Sequence, residues 1–453
     1  MDFYKYLNKF IIYPLYYFKS GDKRLQHLKQ LEINKALPKA DLEKLQLKKL
    51  KSIIEYAYEN TPYYRELFDA ISLKPSDINT LKDIEKIPPL SKQNIQAAGK
   101  LMLSSEYDVT SLMKDASGGS TGEPTVIYRD LLCHQLRHAD PIRHDRWSGW
   151  DIGDRFALIW GAQRDLKATK SIKEFIISRF IARIWELDAF EMNKNKMDSY
   201  VANLERIQPK MILGYASALV AFSNFLIKHH PDHNISPSGI ISSAEMLTED
   251  MRVIIEKAFK CKVLNRYGSR EVGLIASECK QQTGLHINAD NVFVEVVKDG
   301  KPVPIGGNGE ILVTDFSNHG MPLIRYKLGD MGCLSVDSCS CGITLPLMKS
   351  VDGRVADFFV SNEGTLVHGE YFTHLFYGIE EVEKFQMIQE KIDLVTLKIV
   401  SKNSDKSTSY LKYVEKKTKE ILGDKCVLDI CFVDTIAPSA SGKFLFTMSK
   451  VSH

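Results

Sequence analysis

Five short segments hold residue types that suit a bound phosphate, a metal ion and a reacting acid. The first is Ser117-Gly118-Gly119-Ser120-Thr121-Gly122-Glu123-Pro124. Its three glycines let the backbone approach an anion closely, and Ser117, Ser120 and Thr121 add hydroxyl donors. Backbone N–H groups of such a loop cradle phosphate oxygens. No Gly-Lys-Ser/Thr follows, so it is not a Walker A loop. A surface loop has the same composition, and the segment alone does not separate the two readings. The others are Tyr267-Gly268-Ser269-Arg270-Glu271, Tyr326-Lys327-Leu328-Gly329-Asp330, Gly353-Arg354-Val355-Ala356-Asp357 and Pro438-Ser439-Ala440-Ser441-Gly442-Lys443. Taken singly, Glu271 reads equally as a surface acid and Asp330 as a turn residue. Arg354 and Lys443 read equally as solvated charges.

Other constellations narrow the chemistry. His134 and His138 have the i, i+4 spacing of a zinc-protease helix, but Gln135 stands where the catalytic Glu is required. His229, His230 and His233 surround Pro231 and read as a solvated loop. Cys339-Ser-Cys341 has the short spacing of a zinc-knuckle half-site, and Cys279 and His286 lie in one short stretch, SECKQQTGLH.

These segments need a scaffold, and the chain is long enough for one. It has 453 residues, which sets a prior of about two or three domains. Hydrophobic residues make up 44% and charged residues 26%, as in ordinary globular proteins. Lys and Arg number 60 against 57 Asp and Glu, so a broad basic face for nucleic acid is not expected. From about residue 150, apolar β-rich runs (156–160, 211–215, 239–245, 261–268) alternate with helical patterns at 219–230 and 249–260. That alternation predicts an α/β body with largely parallel strands. Residues 292–334 read as antiparallel strands. After about 350 the pattern restarts as a small α+β unit. The expected division is an N-terminal aromatic arm over 1–40, a body over 41–353 opening with an amphipathic helix at 41–59, and a C-terminal domain over 354–453.

In this order and spacing, the five segments resemble the adenylate-forming superfamily of acyl-CoA synthetases and adenylation domains. Within it they resemble the phenylacetate–CoA ligase branch, and there the CapK-like proteins of surface-polysaccharide clusters. LKSIIEYAYENTPYYRELF, ISSAEMLTEDMR, GLHINAD and GEILVTDF share that branch's style. The resemblance implies a large α/β body with parallel and antiparallel sheets and a small mobile C-terminal α+β domain.

It also implies roles. Ser117, Gly118, Gly119, Ser120, Thr121 and Gly122 would hold the β- and γ-phosphates of ATP. Tyr267, on the Gly268-Ser269 turn, would lie against the adenine, with Ala244 and Glu245 lining that side. Glu271 would hold Mg²⁺, a hard cation that takes carboxylate and phosphate oxygens. Asp330 would accept from the ribose hydroxyls, and Arg354 would reach the ribose or phosphates. Lys443 would stabilise charge as a carboxylate attacks the α-phosphorus. Asp357 would be the hinge about which Lys443 leaves before the second step. Arg270 departs from the family's usual threonine, which puts the α-phosphate contact from that position in doubt. Trp160, Gly161, Tyr215 and Ala216 follow strands and either line a carboxylate pocket or pack in the core. Members of the branch carry cysteines and a histidine where this chain has Cys279, His286, Cys339 and Cys341. Such a Cys₃His set suits a structural Zn²⁺; otherwise the four are unrelated.

The expected reaction is MgATP-dependent activation of a small or sugar-linked carboxylic acid, followed by acyl transfer to an amine or to CoA. Surface-polysaccharide biosynthesis is the expected setting. The alternatives are a phenylacetate-type catabolic ligase and a nucleotide-binding scaffold without catalysis. No secretory signal is visible, so a reducing cytoplasm is expected. Residues 10–18 (FIIYPLYYF), flanked by Lys5, Lys9 and Lys19, suit either a membrane interface through residues 1–19 or an arm packed on the body.

Overall fold

The computed structural model describes residues 2–116, 125–160, 171–189, 192–354, 358–363, 366–376, 379, 381–401, 409–437 and 446–451, with the backbone alone at 116, 354, 358, 366, 368, 370, 374 and 409. The chain forms two compact units, of which the second is built mainly of Asp352–His453.

In the first unit, β1 (Met113–Ala116) and β2 (Val126–Arg129) pair antiparallel. A large sheet then takes β3 (Phe156–Trp160), β4 (Ile184–Asp188), β5 (Met211–Gly214), β6 (Gly239–Ser243), β7 (Val263–Ser269), β8 (Gly273–Glu278) and β9 (Leu285–Ile287). It continues with β10 (Val292–Lys298), β11 (Lys301–Pro302), β12 (Asn308–Asp315), β13 (Tyr326–Leu334) and β14 (Leu347–Arg354). Their spatial order is β11-β10-β12-β13-β14-β9-β8-β7-β6-β5-β3-β4. Strands β4, β3, β5, β6 and β7 are mutually parallel, and β8 and β9 continue antiparallel.

Alternation along the parallel strands explains both covered faces. Ile212, Ile240 and Val263 point to a core made with the helices Lys194–Ile207, Ala216–His229 and Glu249–Phe259. Met211, Ile241 and Leu264 point the other way, into a core with Leu28, Leu31, Ala139 and Ile142. The amphipathic helix of the body runs Lys39–Asn60 and buries Leu42, Leu50, Ile53, Ile54 and Ala57. Each leucine or isoleucine buried this fully contributes about 1.5–3 kcal/mol, so this stripe anchors the helix far more strongly than its polar face does.

The N-terminal arm is helical from Phe3 to Lys19, with a π turn over Asn8–Ile12. It packs on the body: Tyr13 and Tyr17 enter the second-face core.

The second unit pairs β15 (Phe358–Val360) with β16 (Leu366–His368). Its larger sheet has the order β19-β18-β17-β20, made by β17 (Val382–Lys391), β18 (Leu394–Ser401), β19 (Val427–Phe432) and β20 (Thr447–Ser449). The helix Ser409–Leu422 connects the parallel pair β18 and β19, and Val414 and Leu422 are buried with Phe359, Phe385 and Leu397.

Candidate active site and metal centre

The parallel strands end in register. Ile159 pairs with Gly214, Gly214 with Ser242, and Ser243 with Arg266. The residues leaving the carboxyl ends of β3, β5 and β6 are therefore Trp160, Tyr215 and Ala244, beside Tyr267 of β7. In open α/β sheets the crevice at these ends is the binding position. The Trp160 and Tyr215 rings lie 4.1 Å apart at 30°, and Ala216 is buried at the start of the following helix. Ala244 has φ +68°. A left-handed alanine costs about 1–2 kcal/mol, and such strain clusters at functional sites. The Glu245 carboxylate accepts from the Ser217 N–H at 2.8 Å, so it caps the helix that begins at Ala216. That bond ties the β6 end to the β5 end.

The Tyr267–Glu271 turn is held from outside itself. A Cβ on Gly268 would sit 2.5 Å from the Gly273 carbonyl oxygen, so only glycine fits there. Ser269 Oγ accepts from the Val272 N–H at 3.1 Å. The Arg137 guanidinium donates to the carbonyls of Arg270 (2.9 Å) and Glu271 (3.1 Å), and Arg129 adds a bond to Arg270 at 3.2 Å. Glu271 is only 6% exposed. The Tyr326 hydroxyl donates to it at 3.3 Å, and the Lys92 ammonium lies 3.6 Å away. Lys92 arrives there because Leu90 pairs with the start of β13: its N–H donates to Arg325, and its carbonyl accepts from Lys327. Asp330 lies further along β13 and is half-buried.

Arg137, Arg129, Lys92 and Tyr326 were missed as site residues by sequence reasoning. Tyr326 lay within a noted segment, whereas the two arginines and Lys92 carry no local signal. Of the sequence-predicted residues, Ser117, Gly118, Gly119, Ser120, Thr121, Gly122, Gly161, Asp357 and Lys443 lie outside the described residues, as does the Arg354 side chain.

Cys279, His286, Cys339 and Cys341 come together, their ligand atoms all within 4.8 Å of one another. Cys279 stands in the β8–β9 turn and His286 in β9, whose partner strand β14 follows the loop that holds Cys339 and Cys341. Cys279 Sγ lies 3.6 Å from Cys339 Sγ, and Cys341 Sγ 3.4 Å from His286 Nε2. A tetrahedral zinc with S and N ligands has edges of about 3.8 Å and 3.6 Å, so the donor set fits that ion. The Gln281 and Ile343 N–H groups donate to Cys279 and Cys341, each at 3.4 Å, and Thr283 Oγ1 donates to Cys339 at 3.3 Å. Burial lowers the His286 pKa, and its Nδ1–H points to the Leu345 carbonyl at 3.3 Å. That tautomer leaves the Nε2 lone pair toward the sulfurs. Burial pushes the Cys279 thiol up to about 12. Against the upward push of burial, the Thr283 hydroxyl helps lower Cys339.

The CapK C-terminal domain family matches residues 359–450. Over 430 residues the chain is 25% identical to Protein CapK of Staphylococcus aureus, covering 91% of this chain and 90% of that one. It is also 25% identical to the phenylacetate-coenzyme A ligase of Thermus thermophilus, over 72% of this chain and 73% of that one. The structure of 2-hydroxyisobutyryl-CoA ligase in the postadenylation state with 2-HIB-AMP superposes with a TM-score of 0.70 at 18% identity, covering 92% of this chain and 91% of that one. That likeness is one of fold. The two sequence relatives and the C-terminal match support a CapK-like chain similar to the phenylacetate–CoA ligase branch of the adenylate-forming enzymes.

Proposed function

We propose that this enzyme activates a carboxylic acid with MgATP to an acyl adenylate and passes the acyl group to an amine on a sugar or sugar-linked acid, in surface-polysaccharide assembly. The observation that carries the reading is the row Trp160, Tyr215, Ala244 and Tyr267 at the carboxyl ends of the parallel strands, with the buried Glu271 on the next turn. The Trp160–Tyr215 pair suits the acid, and the Ala244–Tyr267 side suits a flat base. The loop Ser117–Gly122 is assigned to the phosphates, Asp330 and Arg354 to the ribose side, Lys443 to the reacting oxygens, and Asp357 to the hinge.

Magnesium, when bound, offsets charge on the phosphate oxygens. Glu271 is the residue that would hold it, since it offers a buried carboxylate already oriented by Tyr326. Glu271→Gln keeps the shape and removes the charge. It is expected to raise the Mg²⁺ concentration needed for half-maximal ATP use about tenfold or more; an unchanged Mg²⁺ titration would remove Glu271 from this role. Arg137 is a positioning residue, because it grips the backbone carbonyls on either side of the Glu271 Cα. Arg137→Ala should slow acid-dependent ATP use by about 10²-fold, the scale of a misplaced catalytic group. The same variant should shift the Mg²⁺ titration, and Arg137→Lys should recover part of both. Full activity in the alanine variant would contradict the role.

Cys279, His286, Cys339 and Cys341 are assigned one structural Zn²⁺. Four protein ligands leave no open position, so the ion would pin the β13–β14 loop to the β8–β9 hairpin.

The amine acceptor rests on the surface-polysaccharide setting that the CapK-like resemblance implies, which amide formation fits; the phenylacetate-coenzyme A ligase relatives point to CoA as the alternative. Release of AMP from ATP and acid, measured first with amino sugars and then with CoA, tests the acceptor. Amine-dependent turnover is expected; turnover with CoA alone supports the phenylacetate-type alternative.

A further inference from the structure

The N-terminal arm is amphipathic in the inverted sense. Its inward anchors are largely polar. Asn8 is fully buried and donates to the carbonyls of Phe180 (2.8 Å) and Ile181 (3.1 Å). Lys5 and Lys9 pair with Asp154 and Asp151, each at 2.6 Å, and Asp2 with Arg183 at 2.7 Å. The π turn brings Asn8 and Tyr13 to one side, so that Tyr13 and Tyr17 complete the buried face. The outward face holds Phe3 (77% exposed), Leu7, Phe10 (67%), Ile11, Leu15 and Phe18 (81%). A packed arm normally turns such residues inward.

A second helical segment repeats the pattern beside it. Ile172–Ile176 continues into a π turn over Ile177–Ile181, and Ile172 (81% exposed), Phe175, Ile176 and Phe180 face outward. The Asn8 bonds and a Tyr4 hydroxyl bond to the Phe180 carbonyl at 3.0 Å fasten the two segments together. Exposed apolar residues scattered singly need no explanation, but two fastened helices with apolar outer faces do.

Charge around the faces is basic. Lys19, Lys23 and Lys173 are exposed at the helix ends. Nearby acids are engaged: Asp22 with Arg24, Asp2 with Arg183, and Glu174 as the cap of the Ser171 N–H. Aromatic and aliphatic side chains rimmed by lysines match a bilayer interface with anionic headgroups. Among the described residues no helix is long and apolar enough to cross a membrane, so the contact is peripheral.

We propose that the paired helices Phe3–Lys19 and Ile172–Ile181 form one platform that docks the enzyme on an anionic lipid surface. The platform goes beyond the proposed reaction and stands whether or not that reaction is confirmed. The test is sedimentation of the full chain with phosphatidylglycerol–phosphatidylcholine vesicles. The intact protein should sediment with them, and less so with phosphatidylcholine alone or in high salt. Phe10→Glu with Phe18→Glu should lower the bound fraction about tenfold, and Ile172→Glu with Phe175→Glu should do the same although the arm is intact. All four sites are exposed, so melting midpoints should hold. Where a Glu pair lowers the midpoint, the Ser pair at the same positions supplies the reading. An intact protein that stays in the supernatant overturns the platform. Binding lost with the arm pair but kept with the second pair also overturns it. So does a dimer that the same substitutions turn into monomers without any vesicle binding, since a second copy would then own the face.

Discussion

Lys443→Ala is expected to slow formation of the acyl adenylate by about 10³-fold, the scale of losing one preorganised charge at a reacting anion. The cause is electrostatic. A carboxylate must approach the α-phosphorus of a triphosphate, so two anions meet, and charge shifts onto the bridging oxygen as pyrophosphate leaves. A lysine between them offsets the repulsion and follows the charge in flight. A supplied acyl adenylate no longer presents that problem. Transfer from it to the acceptor should therefore proceed in the variant at near the wild-type rate. Single-turnover measurements of the two half-reactions separate them. Equal losses in both, or no loss in the first, would contradict the assignment. The carboxyl-end row to which the substrates are assigned lies in the first unit, while Lys443 belongs to the chain's C-terminal segment. The prediction thus assigns the first half-reaction to residues from both parts of the sequence.

The double substitution Cys339→Ser and Cys341→Ser is expected to remove one zinc per chain and to lower the melting midpoint by on the order of 10 °C. The four donors would close a tetrahedral set around the proposed zinc, and a closed set would hold the ion for structure alone. Without it, Cys279 and His286 stay on the β8–β9 hairpin while the β13–β14 loop loses its tether. Elemental analysis and thermal unfolding read the two effects. Chelation should reproduce the fall in the wild-type protein and leave the variant unchanged. A metal-free wild-type protein, or a variant of equal stability, would contradict the site. Because Glu271 lies at the other end of β8 from Cys279, adenylate formation should weaken less than stability does.

The parallel strands were legible because their sequences are apolar on both faces. Residues 156–160, 211–215 and 239–245 anticipate β3, β5 and β6 to within two residues. The amphipathic helix at 41–59 was legible for the complementary reason, apolar Leu42, Leu50, Ile53, Ile54 and Ala57 at helical spacing among charged residues. Strand β4, Ile184–Asp188, was not read, since an edge strand with Glu186 and Asp188 lacks a continuous apolar run. The motif turn at Tyr267–Glu271 was legible, but its support was not. Arg137 and Lys92 reach it across long stretches of chain, and nothing local marks a half-buried arginine as a backbone clamp. The N-terminal run likewise announced apolar character without its direction. Asn8 and the two lysines determine that the polar side goes inward. The grouping of Cys279 and His286 with Cys339 and Cys341 became legible only with the family resemblance, since the two pairs lie in separate segments.

Acid-dependent exchange of labelled pyrophosphate into ATP tests the central claim most directly, because it reads reversible adenylate formation without any acceptor. The wild-type enzyme with Mg²⁺ and a panel of sugar-linked and simple carboxylic acids should exchange with at least one acid. That exchange should disappear when Mg²⁺ is withheld and in Lys443→Ala. Exchange that persists without acid, or a folded wild-type protein that hydrolyses or binds ATP yet exchanges with none of the acids, would contradict an adenylate-forming ligase and favour a nucleotide-binding scaffold.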